Sequence, residues 1–164
     1  MRNKGFTLIE IIIYIGIISG VLVAFISYSL AISSVNNKNH AMATVQSDER
    51  IALETIIQKI RSASAVNYPT NGSSQNQLSL VTGTGISTSF SLNGGRLQMS
   101  ETGQADILLT SNRTTISSLS FTNLAQAGER GNIMIQMTVD YNVPSQNVDY
   151  KYGNQVETAA SLRR

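Results

Sequence analysis

The alternation of apolar and polar positions divides the chain into four zones. Residues 1–5, MRNKG, are short and basic. Residues 6–32, FTLIEIIIYIGIISGVLVAFISYSLAI, are apolar apart from Glu10 and a few small or hydroxyl residues. No charge intervenes between Glu10 and Lys38. A bilayer's hydrocarbon core takes about 20 apolar residues as helix, and residues 11–32 supply them. Arg2 and Lys4 ahead of that run put the N-terminus on the cytoplasmic side, where basic residues are retained.

The third zone, residues 33–64, turns polar but keeps a helical rhythm. Met42, Val45, Leu53, Ile56, Ile57, Ile60 and Ala63 recur at steps of three, four and their sums, which marks one apolar stripe. Arg50 and Glu54, four apart on the opposite side, can pair for about 0.3 kcal/mol. No Pro or Gly interrupts residues 21–66, so one continuous helix is expected through both zones. The stop signal is Pro69 with the Asn71-Gly72-Ser73-Ser74 loop behind it.

Residues 65–164 read as β-structure. Leu78-Ser79-Leu80-Val81 alternates. So do residues 87–92, followed by a hairpin turn at Asn93-Gly94-Gly95 and a return strand at Arg96-Leu97-Gln98-Met99. Ile107-Leu108-Leu109 is a short apolar run. Ile116, Leu119 and Phe121 mark another strand, and residues 125–131 a loop. Residues 132–141, NIMIQMTVDY, alternate most cleanly, and Tyr150, Tyr152 and Val156 mark a terminal strand. One side of such a sheet needs covering, and the stripe from Met42 to Ala63 is the available cover. The expectation is an α+β chain. Its long N-terminal helix spans a membrane with its first half, and the amphipathic second half packs on an antiparallel β-sheet head.

Composition narrows the chemistry. Charged residues are 13% of the 164, against about 25% in average soluble domains, so the surface is unusually neutral. The absence of cysteine excludes a disulfide framework, a thiolate zinc site and a thiol nucleophile. A single histidine, His40, leaves no His-rich metal cluster. The net charge of +2 rests on Arg2 and Lys4: without them the balance is 10 against 10. No basic nucleic-acid surface follows, and Lys151, Arg163 and Arg164 read as a solvated end.

The stretch with most chemical content is Lys4-Gly5-Phe6-Thr7-Leu8-Ile9-Glu10. A carboxylate inside a membrane helix costs roughly 2.5–3.5 kcal/mol near the bilayer centre, less near the interface, and such a residue usually has a partner. Gly16 and Gly20 form a small-xxx-small face that permits close helix approach.

The basic tip, the Gly-Phe step, and a lone Glu ahead of an uninterrupted apolar run together resemble the processing site of type IV prepilins and type II secretion pseudopilins. The resemblance covers the tip and the apolar helix. It implies a pilin-like fold and cleavage after Gly5 by a prepilin peptidase, with N-methylation of Phe6. It also implies that Glu10 of one subunit faces the Phe6 amine of another in a filament. The implied partners are that peptidase, other pilin or pseudopilin subunits, an inner-membrane assembly platform, and membrane lipid before assembly. No cofactor, metal or catalytic residue is implied. The implied course runs from the bacterial inner membrane, single-pass with the head outside the cytoplasm, to a periplasmic or cell-surface filament. Two departures lean toward a minor pilin or pseudopilin: the apolar run lacks a central Pro, and the chain lacks the cysteine pair that closes a C-terminal loop in many pilins. Ile116 to Leu124, then Asn132 to Tyr141, resembles the late strands of minor pseudopilins of the J type.

Competing chemistry is thin. Ser, His and Asp all occur, but His40 sits among Asn36, Asn37, Lys38 and Asn39, as a solvated or headgroup-level histidine. Gly83-Thr84-Gly85 lacks the Gly-Lys-Ser/Thr of a phosphate loop. Glu101, Asp106, Asp140 and Asp149 are not spaced as a calcium loop. Asn71 and Asn112 match glycosylation acceptors only by their tripeptides. A secreted or anchored binding domain with an ordinary signal sequence is the alternative, with Ser29-Leu30-Ala31 as its cleavage site. That chain would start at Ile32, the processed filament subunit at Phe6, and an unprocessed anchor at Met1.

Overall fold

A computed structural model describes residues 5–126, 129–142 and 151–163. One helix, α1, runs unbroken over Leu8–Ser62, 55 residues. At 1.5 Å per residue it is about 80 Å long. It ends at Ser62 rather than at the Pro69 stop. Ala63 turns to extended backbone, and its N–H donates to Ile60 O at 3.2 Å. The residues between become β1 (Ala65–Tyr68), a strand the sequence pattern did not reveal.

The remaining strands are β2 (Ser74–Gln75), β3 (Leu78–Val81), β4 (Ser87–Asn93), β5 (Arg96–Glu101), β6 (Ile107–Leu108), β7 (Thr114–Asn123), β8 (Asn132–Tyr141) and β9 (Gly153–Ser161). All pair antiparallel. They form two sheets, not the single sheet expected: one ordered β1-β3-β4-β5-β6, the other β2-β7-β8-β9. Alternation marks a strand and its buried face but not its neighbour. The chain leaves the first sheet at β1, enters the second for the two residues of β2, and returns at β3. β2 carries no apolar pattern and is defined only by its pairing with Phe121 and Thr122.

The hairpin turn falls one residue later than read. Asn93 pairs with Arg96 as the last rung, and Gly94 and Gly95 alone make the loop. Both have positive φ, 58° and 76°, as a two-residue primed turn demands. A side chain at Gly95 would also meet Thr115 Cγ2 at 2.8 Å, so this turn packs against β7.

One apolar core joins helix and sheets. Val45, Ala52, Ile56 and Ile60 of α1 meet Leu78, Leu80, Phe90 and Leu97 of the first sheet and Phe121, Ile133, Ile135 and Val139 of the second. The expected stripe is half right. Val45, Ile56, Ile60 and Ala63 are buried, while Leu53 and Ile57 only flank the core. Its centre line also holds Ala41, Asp48 and Ala52. Small alanines leave room for the sheets' larger side chains, so the buried face is narrower and less apolar than the bulky residues suggest. Arg50 and Glu54 pair on the solvent side at 2.7 Å, and that contact holds the guanidinium above its ordinary pKa. Tyr150, read as part of the last strand, lies outside the described residues.

Ile56, fully buried in the core that α1 shares with both sheets, should dominate head stability. Ile56→Ala should destabilise the head by about 2–5 kcal/mol, and exposed Ile51→Ala by less than about 0.5 kcal/mol. Denaturant midpoints of the two full-length variants in detergent check this.

Candidate functional site

The N-terminal end of α1 presents the residues singled out from sequence. Gly5 is exposed and non-helical, just before the helix. Thr7 is the N-cap: its Oγ1 accepts from the Glu10 N–H at 3.4 Å. Thr7-Leu8-Ile9-Glu10 thus has the Thr-x-x-Glu spacing of a capping box, with Glu10 at the third helical position. Its negative charge is also favoured there by the helix dipole. The carboxylate runs up the helix, where Oε1 accepts from the Tyr14 hydroxyl at 3.4 Å. Tyr14 in turn meets the Phe6 ring edge-on, with centroids 6.4 Å apart and planes at 75°.

Phe6, Glu10 and Tyr14 therefore occupy one face at steps of four. Glu10 is half-buried between them, while its chain neighbours Ile9 and Ile11 are exposed. Tyr14 was not singled out from the sequence. The available signal was its position, one turn beyond the only carboxylate of an apolar run. Gly16 and Gly20 lie four apart on one face, and nothing in the chain stands within 4 Å of where a Cβ would sit on either. That face is free for another helix to approach.

The apolar segment is long and apolar enough to cross a membrane, and none of it is buried inside the chain. From Phe6 to Val35, nineteen large apolar side chains are exposed. Burying each is worth about 1.5–3 kcal/mol, so their exposure to water would cost tens of kcal/mol. The segment requires either lipid or other apolar helices around it.

A second cluster, also missed from sequence, lies where α1 enters the head. Asp48 is 8% exposed. Its Oδ2 accepts from the Ser111 N–H at 3.0 Å, from Ser111 Oγ at 2.7 Å and from Thr114 Oγ1 at 2.6 Å. Residues 109–114 carry the chain from the first sheet to the second. Arg96 holds the same stretch through two bonds to Thr110 O, at 3.0 and 2.6 Å. Asp48 thus ties the helix to the joint between the sheets. Two further bonds secure its flanks: Lys59 Nζ to Glu101 at 2.9 Å and Asn154 Nδ2 to Glu49 at 2.7 Å.

His40, Asp48 and Ser111 line one open cleft of about 400 Å³. The arrangement differs from a hydrolytic triad. Ser111 donates directly to Asp48, whereas a nucleophile must donate to a histidine that the acid orients. Its role here is to bind two elements together.

Compared with family models, with curated proteins and with solved structures, the chain gives no match. The sequence carried one signal for the Asp48 clamp, an aspartate in register with Ala41, Val45, Ala52 and Ile56 on the buried face.

Asp48→Ala would leave the part-buried hydroxyl of Ser111 and the buried hydroxyl of Thr114 without their acceptor. A loss of about 2–3 kcal/mol is expected, with earlier amide exchange in residues 109–114 than elsewhere in the head. Hydrogen exchange read by mass spectrometry on the full-length chain checks both. The chain with its described residues is an α+β protein, with one long N-terminal helix able to span a membrane and two antiparallel sheets closed over the helix's second half.

Proposed function

We propose that this chain is a structural subunit of a type IV filament, a minor pilin or pseudopilin with a pilin-like head. In this reading a prepilin peptidase cuts after Gly5, and Phe6 becomes the methylated N-terminus. The subunit waits in the bacterial inner membrane with its head outside the cytoplasm. It then moves through an assembly platform into a pilus or secretion pseudopilus. Its work is packing rather than catalysis.

The observation that carries this reading is an unburied apolar segment, residues 6–32, whose one carboxylate, Glu10, lies in the first turn of the helix. Lipid satisfies the apolar side chains but not the carboxylate. A bundle of identical helices satisfies both, provided each Glu10 reaches a neighbour's Phe6 amine. Removing one member of such a pair leaves the other unpaired, at about 3–5 kcal/mol. The pair therefore sets axial register more than it adds stability. The open face at Gly16 and Gly20 suits close packing of those helices.

The competing cut at Ser29-Leu30-Ala31 would fall inside α1, which continues without a break to Ser62. That continuity favours a helix used whole. Rigid coupling of stalk to head also suits a filament: the bonds of Asp48, Glu49 and Lys59 fix the angle at which a head leaves the core.

The mature chain, purified from cells with an active prepilin peptidase, should lack Met1 to Gly5 and carry one added methyl group. Intact mass reads this directly. A chain still beginning at Met1, or one beginning at Ile32, overturns the proposal. Glu10→Gln should be cleaved like the parent, yet its recovery in sheared filaments should fall on the order of 100-fold.

A further inference from the structure

As a filament subunit, the chain gives Glu10 an ionic partner only once a neighbour arrives. Before that the carboxyl stands at the start of a membrane helix. Where lipid replaces water around it, a polar group without a hydrogen bond is costly. The structure supplies a donor within the same chain. Tyr14 Oη lies 3.4 Å from Oε1, one turn along, and the Phe6 ring braces the phenol from the side. That distance is long for a hydroxyl donor, so the bond is weak where water competes. Low dielectric strengthens such a bond, which is the environment this segment requires.

We propose that Tyr14 is a positioning residue for Glu10. Its phenol holds Oε1 while the subunit lies alone in the bilayer, and goes on holding it as the filament forms. Oε2 then faces outward for an approaching ammonium. The two donors do not compete, because an ionised carboxylate offers two oxygens with several lone pairs. Pinning one oxygen restricts the side chain's rotamers before the neighbour docks, so less freedom is lost on docking. Tyrosine suits this task better than serine at the same position, because its hydroxyl reaches a full turn while its ring stays compatible with lipid.

This role in assembly presupposes a filament subunit, whereas the bond itself requires only a membrane-inserted helix. Tyr14→Phe separates the two. It keeps the ring and removes the donor, and residue 14 lies in the unburied segment, so the head core is untouched. The mature chain is labelled with carboxyl-isotope-substituted glutamate and placed in phosphatidylethanolamine–phosphatidylglycerol vesicles. Its Glu10 infrared band is assigned by its loss in Glu10→Gln. In Tyr14→Phe that band should shift toward the position of a carboxyl without a donor.

In cells, the ratio of filament to membrane subunit should fall about 2- to 10-fold in Tyr14→Phe, the range of one long, weak hydrogen bond to a carboxylate, with cleavage unchanged. A band that stays in place overturns the bond. A shifted band with an unchanged filament ratio overturns the positioning role. A parent chain that keeps Met1 overturns the filament reading instead, and the band comparison still decides whether Tyr14 holds Glu10.

Discussion

The seating of one face of α1, from Ala41 to Ile60, in the apolar core it shares with both sheets is the contact on which the rest depends. Neither sheet is self-sufficient. The first has two-residue β6 at one edge and a bulged β1 at the other, and the second begins with two-residue β2. Sheets this small need an apolar cover to be stable. The helix provides one surface for both, with Ile56 and Ile60 fully buried at its centre. Because the helix is continuous, its seating also fixes where the apolar segment emerges and how it is rotated relative to the head.

The same helix carries two different side-chain patterns along its length. Up to Ile32 the apolar side chains point in every direction, as they must where lipid or other helices surround the rod. Beyond Lys38 they narrow to a stripe with alanines at the tightest points. Asp48 on that stripe would be a defect in an apolar core. Its three donors from residues 111 and 114 convert it into the fastening between helix and inter-sheet joint. Each stretch carries one polar cluster: Glu10 with Thr7 and Tyr14 at the start of the unburied part, Asp48 with Ser111 and Thr114 within the buried part.

Much of this was legible from the residues alone. Strand β8 appears with the bounds its alternation suggested, Asn132–Tyr141, because four apolar side chains at a period of two leave few other conformations. The Gly94-Gly95 turn was legible because only glycine adopts that pair of positive φ angles cheaply. Strands β1 and β2 were not legible. Ala65–Tyr68 and Ser74–Gln75 have mostly exposed side chains and no periodicity. Their pairing with β3 and β7 is decided by backbone bonds to distant residues. At the candidate site, Glu10 stood out as a break in a uniform apolar pattern, and Gly5 and Phe6 through the resemblance of the tip to a prepilin processing site. Tyr14 and Asp48 did not, because a phenol in an apolar run and an aspartate in a polar stretch are each unremarkable until a partner is placed beside them.

The sequence by itself determined the long helix, its division into an all-round apolar part and a striped part, the lone carboxylate near its start, and most strands. These follow from local periodicity and from the free energy of exposing apolar surface, which act on neighbouring residues. Only the tertiary structure decided that the strands form two sheets rather than one, that the buried stripe runs through Ala41, Asp48 and Ala52, and that Ser111 and Thr114 are the acid's partners. Those outcomes depend on groups more than sixty residues apart being brought within hydrogen-bonding distance. No local pattern encodes that meeting, since closing so long a loop is driven by the whole core rather than by either end.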